Sequence, residues 1–384
     1  MNTAKVLNIR RRRVRSLAVV LAGSFLLAGC AAGPAETPSA SPPPTEGIVA
    51  LETASPTPAA APTSRLGLSC TDVLPEMLVA DLVHDNLTTT DMMVEPASAT
   101  PLGYSVSQLG GVSCRAGGTP DFAFVSVQVL PDATDEWATF ATSELTVASG
   151  DAAAYGDASA VDCLGRGSES GCVVDVLVNG SWIALVAQGI TVDASLSSAD
   201  VAEHLAPLIT DIVATVELSG APTPAWSVPA DAGDLPAECT MYATVGDFQT
   251  MFGTTEGILI TADTAGEAPG ISAAAWATAG VTQCMWIPED SGQTWQLYVT
   301  ALPGGEWAFD RAALVASSDG PQTVSEPIDG VKRAAFGCHV YTGFCTLDTV
   351  IAGNWVQFNA ETEKIGTEDD VLAQLTQLAT GTQS

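Results

Sequence analysis

The sequence predicts an α+β fold made of two tandem homologous domains, each an antiparallel sheet packed against helices and braced by disulfides. The first observation behind this prediction is a repeated cysteine spacing. Four cysteines are separated by 43, 48 and 8 residues, and the next four by 44, 53 and 6. In chain order they are Cys70, Cys114, Cys163 and Cys172, then Cys239, Cys284, Cys338 and Cys345. A spacing that recurs at this scale is typical of a duplicated structural unit.

The second observation is that the side chains between the cysteines match as well. Residues 172–183 lie over residues 345–356 without a gap, and Glu136-Trp137-Ala138 has a counterpart in Glu306-Trp307-Ala308. We therefore interpret the chain as a tandem duplication. The first copy, the linker and the second copy are placed at residues 67–218, 219–236 and 237–384. Each copy has about 150 residues, which is enough for a core of its own.

The third observation is that apolar residues follow helical spacing in some segments and alternate in others. In the first copy these patterns predict an opening helix over residues 73–82, a strand over 122–130 and a helix over 132–145. Asn179-Gly180 predicts a tight hairpin turn, because both positions accept a positive φ. The polar start Ser197-x-x-Asp200 predicts the N-terminus of a closing helix.

The second copy carries the same patterns in the same order. The corresponding segments are residues 242–252, 294–302, 306–314 and 355–359, and a closing helix that follows Thr367-x-x-Asp370. Trp226 is an unusual residue for a free linker, so we expect it to pack on one of the two domains.

Cysteine pairing is the next prediction. Four cysteines allow three pairings in each copy. We favour Cys163 with Cys172 and Cys338 with Cys345, because a strand, turn and strand can bring such neighbours within bonding distance. By elimination, Cys70 pairs with Cys114 and Cys239 with Cys284. The alternative is a zinc site. It is disfavoured because the chain has only three histidines and no C-x2-C spacing. We therefore expect no metal and no cofactor.

The N-terminus has the layout of a secretory signal, with a basic segment at residues 10–15 and an apolar stretch at 17–28. A helix needs about 20 apolar residues to cross a membrane, and that stretch is shorter. Leu27-Ala28-Gly29-Cys30 resembles the bacterial lipobox, which implies cleavage after residue 29 and a lipid on the sulfur of Cys30. The alternatives are an ordinary signal peptide with an incidental cysteine and an uncleaved anchor.

Residues 30–66 predict a lipidated cysteine followed by a disordered tether. Proline, alanine, serine and threonine dominate this segment, and it has too few apolar side chains to offset the entropy of ordering. The tether either lifts the folded part off the lipid surface or is a spacer constrained by solubility alone.

Charge excludes one class of partner. The chain has 13 basic and 44 acidic residues. Six of the basic residues and none of the acidic ones precede Cys30, so cleavage of the signal removes six positive charges. The mature part therefore has 7 basic residues against 44 acidic ones, a net charge of -37. Such a surface repels phosphates, so we expect no nucleic-acid partner.

No catalytic motif or shared histidine is present, so we expect no enzyme. Asp175 and Asp348 are the acids that the two copies share within predicted strands, where Asp is disfavoured. They are either ligand- or cation-binding acids or outward-facing residues of amphipathic strands. Trp182 and Trp355 follow the hairpin turn in both copies, and they either pack in the core or stack on a ligand.

Lipobox, tether and repeated cysteine unit, in which a cysteine opens a strand as in Cys284-Met285-Trp286, together resemble small actinobacterial envelope lipoproteins grouped as a domain of unknown function. The resemblance covers residues 68–380 and implies no site residues. The leading hypothesis is a non-enzymatic binding or assembly module, anchored on the outer face of the cell membrane through Cys30, with an envelope protein or small ligand as partner. The alternatives are an envelope hydrolase that uses paired carboxylates and a structural envelope protein.

Overall fold

A computed structural model of the protein describes most of the chain from residue 60 to residue 382. The described ranges are 60–83, 89–92, 99–117, 123–143, 147–164, 170–189, 197–262, 270–290, 295–315, 322–324, 326–339, 343–362 and 364–382. The predicted signal peptide, Cys30, the tether as far as residue 59 and His84 lie outside these ranges.

The first copy forms a seven-stranded sheet. Its strands are β1 (Thr89–Asp91), β2 (Val112–Gly117), β3 (Phe124–Leu130), β4 (Ala148–Ser149), β5 (Ala158–Leu164), β6 (Gly171–Val178) and β7 (Ser181–Gln188). They lie in the order β1-β2-β3-β7-β6-β5-β4, and all neighbours are antiparallel. The β6–β7 hairpin therefore lies near the centre of the sheet.

The second copy forms a sheet with the same topology. Its strands are β8 (Ile258–Ala262), β9 (Thr282–Pro288), β10 (Leu297–Leu302), β11 (Gln322–Thr323), β12 (Val331–His339), β13 (Phe344–Ile351) and β14 (Asn354–Glu361). They lie in the equivalent order β8-β9-β10-β14-β13-β12-β11. The register matches as well, since Leu130 lies opposite Trp182 in the first sheet and Leu302 opposite Trp355 in the second. The predicted α+β class with two antiparallel sheets is confirmed.

Nine α-helices occur in the described ranges. They are α1 (Cys70–Val73), α2 (Glu76–Val83), α3 (Ser105–Gln108), α4 (Thr134–Ser143), α5 (Ser198–Ser219), α6 (Val245–Phe252), α7 (Ile271–Ala279), α8 (Glu306–Val315) and α9 (Glu368–Gly381). None of these helices is long and apolar enough to cross a membrane.

The predicted opening helix is divided in the first copy and begins three residues later than predicted in the second. In the first, Pro75 separates α1 from α2, and Leu74 before it has a non-helical φ of -130° and ψ of 75°. A proline disfavours helical geometry in the residue that precedes it, which explains the break. In the second copy a 3-10 turn at Cys239–Met241 precedes α6.

The closing helices α5 and α9 begin where the sequence predicts. Ser197 and Thr367 cap them, and each accepts a hydrogen bond from the backbone N–H of the aspartate three residues later. The aspartates, Asp200 and Asp370, accept hydrogen bonds from the capping residues in return, which completes a capping box. These two helices bury their apolar faces in the two largest clusters of the core.

The described part of the chain contains four disulfides, and they are the four that the sequence predicts. Cys163 and Cys172 face each other across β5 and β6, and Cys338 and Cys345 across β12 and β13. The two longer links join the start of each copy to its second strand, with Cα atoms 5.3 Å apart in Cys70–Cys114 and 5.5 Å apart in Cys239–Cys284.

The opposite faces of the sheets are covered jointly by the two copies. Helices α3 and α7, which occupy equivalent places in the two copies, pack against each other. Ile271 and Ala275 of α7 lie in a buried cluster with Trp137 and Trp182 of the first copy. Conversely, Tyr104 beside α3 lies in a buried cluster around Trp355 of the second copy. Of the four apolar clusters that the described residues form, the copies therefore share two.

The linker and the last residues assigned to the tether also pack on the folded part. Arg65 donates from its Nε to the carbonyl of Thr223 at 2.7 Å and forms an ion pair with Asp132. Leu66 joins the core of the first copy. As expected, the ring of Trp226 packs against Trp307, with ring centroids 6.4 Å apart.

Candidate functional site

Each shared aspartate is hydrogen-bonded to the shared tryptophan of its own copy. The indole Nε1 of Trp182 donates to Asp175 Oδ1, and that of Trp355 to Asp348 Oδ1, both at 2.8 Å. The two partners lie on neighbouring strands, and Asp175 is two residues away from Leu177, the residue opposite Trp182. Diagonal neighbours of this kind share a face of the sheet and come within reach of long side chains.

Both pairs are buried. The exposed fraction is 9% for Asp175 and 8% for Asp348, and both tryptophans are fully enclosed. Neither aspartate therefore faces solvent as a residue of an amphipathic strand would. A buried indole N–H needs an acceptor, and each aspartate supplies one.

The tryptophans in turn hold the helices that cover this face. Trp182 contacts the rings of Trp137 and Phe140 of α4, with centroids 5.5 Å and 4.9 Å away. Trp355 contacts Phe309 of α8 at 6.3 Å. Since the arrangement recurs in both copies, the Asp–Trp pair is part of the shared architecture.

In the second copy the pair continues into a longer series of hydrogen bonds. Gln357 Nε2 donates to Asp348 Oδ1 at 2.9 Å, and Asn359 Nδ2 donates to Gln357 Oε1 at 3.1 Å. Thr346 Oγ1 donates to Asn359 Oδ1. We call these four side chains, Thr346, Asn359, Gln357 and Asp348, the polar chain.

The polar chain runs from the surface into the core. Thr346 lies opposite Asn359, and Asp348 opposite Gln357, on strands β13 and β14. Asp348 and Gln357 are buried, whereas Thr346 and Asn359 are half-buried. The outer end of the polar chain, at Thr346 and Asn359, thus lies where solvent or a ligand can reach it.

The first copy lacks this arrangement. The ungapped alignment of the two hairpins places Val173, Ala184 and Val186 at the positions of Thr346, Gln357 and Asn359. Of the four positions, the aspartate alone is polar in both copies. The polar chain is therefore a feature of the second copy and not a requirement of the fold.

Two half-buried aromatic side chains lie beside the outer end of the polar chain. Tyr298 on β10 lies opposite Asn359, and its ring centroid is 6.2 Å from that of Phe344 on β13. Its hydroxyl donates to Gln296 Oε1. Burial raises the pKa of Tyr298, and the nearby charge of Glu361 acts in the same direction.

Burial raises the pKa of Asp348 to about 6, and the hydrogen bonds from Gln357 and Trp355 act against this shift. Both of those partners donate to the carboxylate. These two donated hydrogen bonds favour the ionised form of Asp348, whereas its burial favours the protonated form. The cost of its burial remains, because the pKa is still well above its ordinary value.

The other acids that the two copies share lie at helix starts. Glu306 forms ion pairs with Lys332 at 2.5 Å and Arg333 at 2.7 Å. Glu136 accepts a hydrogen bond from Thr278 of the second copy at 2.8 Å. Glu306 thus connects α8 to its own sheet, whereas Glu136 connects the two copies.

The polar chain contains no histidine, and His339 on β12 lies opposite Phe344 on β13. His204 is exposed on α5, and His339 is the last residue of β12. Among the described residues, no three His, Cys, Asp or Glu side chains are grouped in a way that could hold a metal ion.

The sequence pointed to Asp348 and Trp355 but missed Thr346, Gln357 and Asn359. A signal for them exists, since Gln357 and Asn359 alternate on one face of a strand whose counterpart in the first copy has Ala184 and Val186. Comparisons of the chain with protein families, with characterised proteins and with solved structures found no match.

Proposed function

We propose that this protein is a membrane-anchored lipoprotein that acts outside the cytoplasm as a non-enzymatic binding module of the cell envelope. The export signal and the lipobox-like Leu27-Ala28-Gly29-Cys30 support the anchoring. Four disulfides support an oxidising compartment, because disulfides persist in exported proteins. The tether and the repeated cysteine unit support the resemblance to actinobacterial envelope lipoproteins.

The polar chain is the observation that carries the binding role. A duplicated fold needs no hydrogen-bonded side chains at Thr346, Gln357 and Asn359, because the first copy keeps the same sheet with valine and alanine there. Replacing paired buried polar groups by apolar side chains of similar shape is nearly neutral for stability, so stability alone does not explain this network in one copy. Binding of a ligand at the half-buried end of the polar chain would explain why these polar side chains occur in the second copy.

The hydrolase hypothesis has less support. Asp175 and Asp348 belong to different sheets, and each accepts a hydrogen bond from its own tryptophan. The purely structural hypothesis does not account for the difference between the copies. Neither alternative explains why polarity is concentrated on one face of the second sheet.

The anchoring is tested by replacing Cys30. We expect the Cys30→Ala variant to lose incorporation of labelled fatty acid and to leave the membrane fraction. The matched control is Ala31→Ser, which changes the next residue and should keep both properties. Retention of label in the Cys30→Ala variant would contradict the anchoring.

The binding role is tested with a photo-crosslinking amino acid in the lipidated protein within its own envelope. Placed at Asn359, the crosslinker should capture an envelope component, whereas at the equivalent Val186 it should not. Equal capture at the two positions, or none at Asn359, would contradict the assignment of the binding site to the second copy.

A further inference from the structure

We infer that the outer end of the polar chain, together with Tyr298 and Phe344, binds a neutral polyhydroxylated ligand, such as a segment of an uncharged glycan. This inference deepens the proposed binding function and rests on it. Four features of the site carry it: the direction of its hydrogen bonds, its aromatic rings, its charge and its position in the sheet.

The hydrogen bonds of the polar chain all point the same way. Thr346 donates to Asn359, Asn359 to Gln357, and Gln357 to the carboxylate of Asp348. The hydroxyl proton of Thr346 is thereby used, while its oxygen keeps the capacity to accept. Asn359 Nδ2 carries a second N–H in addition to the one given to Gln357. An acceptor next to a donor suits a ligand hydroxyl, which both donates and accepts.

The Asp348 carboxylate at the inner end of the polar chain strengthens the preference for a ligand hydroxyl. Hydrogen bonds in series polarise one another, so a carboxylate at the inner end makes each oxygen along the chain a better acceptor. Thr346 Oγ1 should therefore favour a ligand that donates a proton to it. Hydroxyl groups do so without carrying a charge.

The aromatic rings supply the apolar part of the site. Tyr298 and Phe344 are half-buried, with an angle of 50° between their planes. Small-molecule sites typically combine aromatic surfaces with a few placed polar groups. The C–H faces of a sugar ring fit such surfaces while its hydroxyls meet Thr346 and Asn359.

Charge argues against the other ligand classes. The groups that form the hydrogen bonds described for this site are amides, hydroxyls and a carboxylate, and Glu361 lies close to Tyr298. A phosphate, sulfate or carboxylate would meet repulsion here, added to that of a chain with 44 acidic and 13 basic residues. A metal ion is not favoured either, because the described residues include no group of His, Cys, Asp or Glu side chains that could hold one.

Position argues against a peptide added as an extra strand. Strand β14 pairs with β13 on one side and with β10 on the other. Its backbone groups are already used, and strand addition requires an exposed edge. Recognition at this place must therefore come from side chains.

The first copy provides an internal reference. It has Val173 and Val186 in place of Thr346 and Asn359, and Gly171 in place of Phe344. The alignment of β3 with β10 puts Ser126 at the position of Tyr298. The same fold thus occurs in this chain without any of these elements.

The test is calorimetric titration of the full-length protein in detergent with linear hexasaccharides of glucose, mannose, galactose and arabinose, and with their phosphorylated forms. We expect at least one neutral hexasaccharide to bind. Asn359→Val and Tyr298→Ser, which introduce residues of the first copy, should each weaken binding at least tenfold. Val173→Thr in the first copy is the matched control and should change affinity less than twofold.

Thermal unfolding checks that each variant is folded, and Thr346→Val replaces Asn359→Val if that variant is not. Absence of binding to every neutral hexasaccharide, or unchanged affinity in the folded variants, would overturn the inference. Binding of the phosphorylated forms alone would overturn it too. If the crosslinker at Asn359 nevertheless captures an envelope component, the binding function stands and the ligand class is wrong.

Discussion

Tyr104 of the first copy packs edge-on against Trp355 of the second, with ring centroids 5.7 Å apart and planes at 65°. Tyr104 also contacts Trp307 at 5.6 Å and is fully buried. A residue outside the second copy thus completes the aromatic cluster that holds α8 on the second sheet. The two copies should consequently unfold together.

The Tyr104→Ala variant tests this coupling. Removing a large buried aromatic side chain costs about 3 to 5 kcal/mol. We expect the free energy of unfolding to fall by that amount, with a single transition in urea by both fluorescence and circular dichroism. Val173→Ala, at a site 49% exposed, is the control and should change it by about 0.5 kcal/mol or less. Two separate transitions would show that the copies are independent.

The Asp348→Asn variant tests how the buried carboxylate of Asp348 changes the free energy of unfolding with pH. The pKa of Asp348 is about 6 in the folded protein and 3.8 in the reference state, so the folded state holds the proton more tightly. Its stabilising effect is full below pH 4 and is lost as pH rises through 6. Between pH 4 and pH 7 the wild type should lose about 2 kcal/mol of stability relative to the variant.

The measurement is urea unfolding of both proteins at intervals from pH 4 to pH 7. Taking the difference between them removes the contribution of the other acids. A difference that stays constant with pH, or that grows in favour of the wild type as pH rises, would contradict the assigned shift.

The disulfides should contribute unequally. Cys70–Cys114 closes a separation of 44 residues and Cys338–Cys345 one of 7. Loop entropy then gives about 4 kcal/mol for the first and about 2.5 kcal/mol for the second. Replacing each pair by serine and measuring unfolding in urea should reproduce this order, and the reverse order would show that chain entropy does not dominate.

The cap of the last helix is tested by Thr367→Ala. Thr367 Oγ1 accepts from the backbone N–H of Asp370 at 3.3 Å, and losing such a cap costs about 1 kcal/mol. Thr367→Ser keeps the hydroxyl and should restore most of the loss in thermal unfolding. Equal effects of the two substitutions would mean that the hydroxyl is not what stabilises α9.

Local patterns were enough to predict much of the fold. Asn179-Gly180 forms the expected turn, with φ of 49° and 75° at the two residues. Ser197 and Thr367 cap helices, and all four disulfides form as predicted. Each of these features depends on residues close in sequence or on a short list of possible partners.

Contacts between the copies could not be predicted in this way. Tyr104 and Ile271 lie in segments without a strong period, and the tryptophans they contact in the other copy are about 90 to 250 residues away along the chain. The hydrogen bonds of Asp175 and Asp348 depend on which residues become diagonal neighbours. That is fixed by strand register, which the alternating pattern alone does not specify.

The reciprocal placement of α3 and α7 has a consequence for the history of the chain. One copy alone would leave the sheet face around its buried tryptophan uncovered. Two identical copies could cover both faces, because each would place the same helix over the tryptophan of the other. Such self-complementary contact is the geometry of a symmetric homodimer.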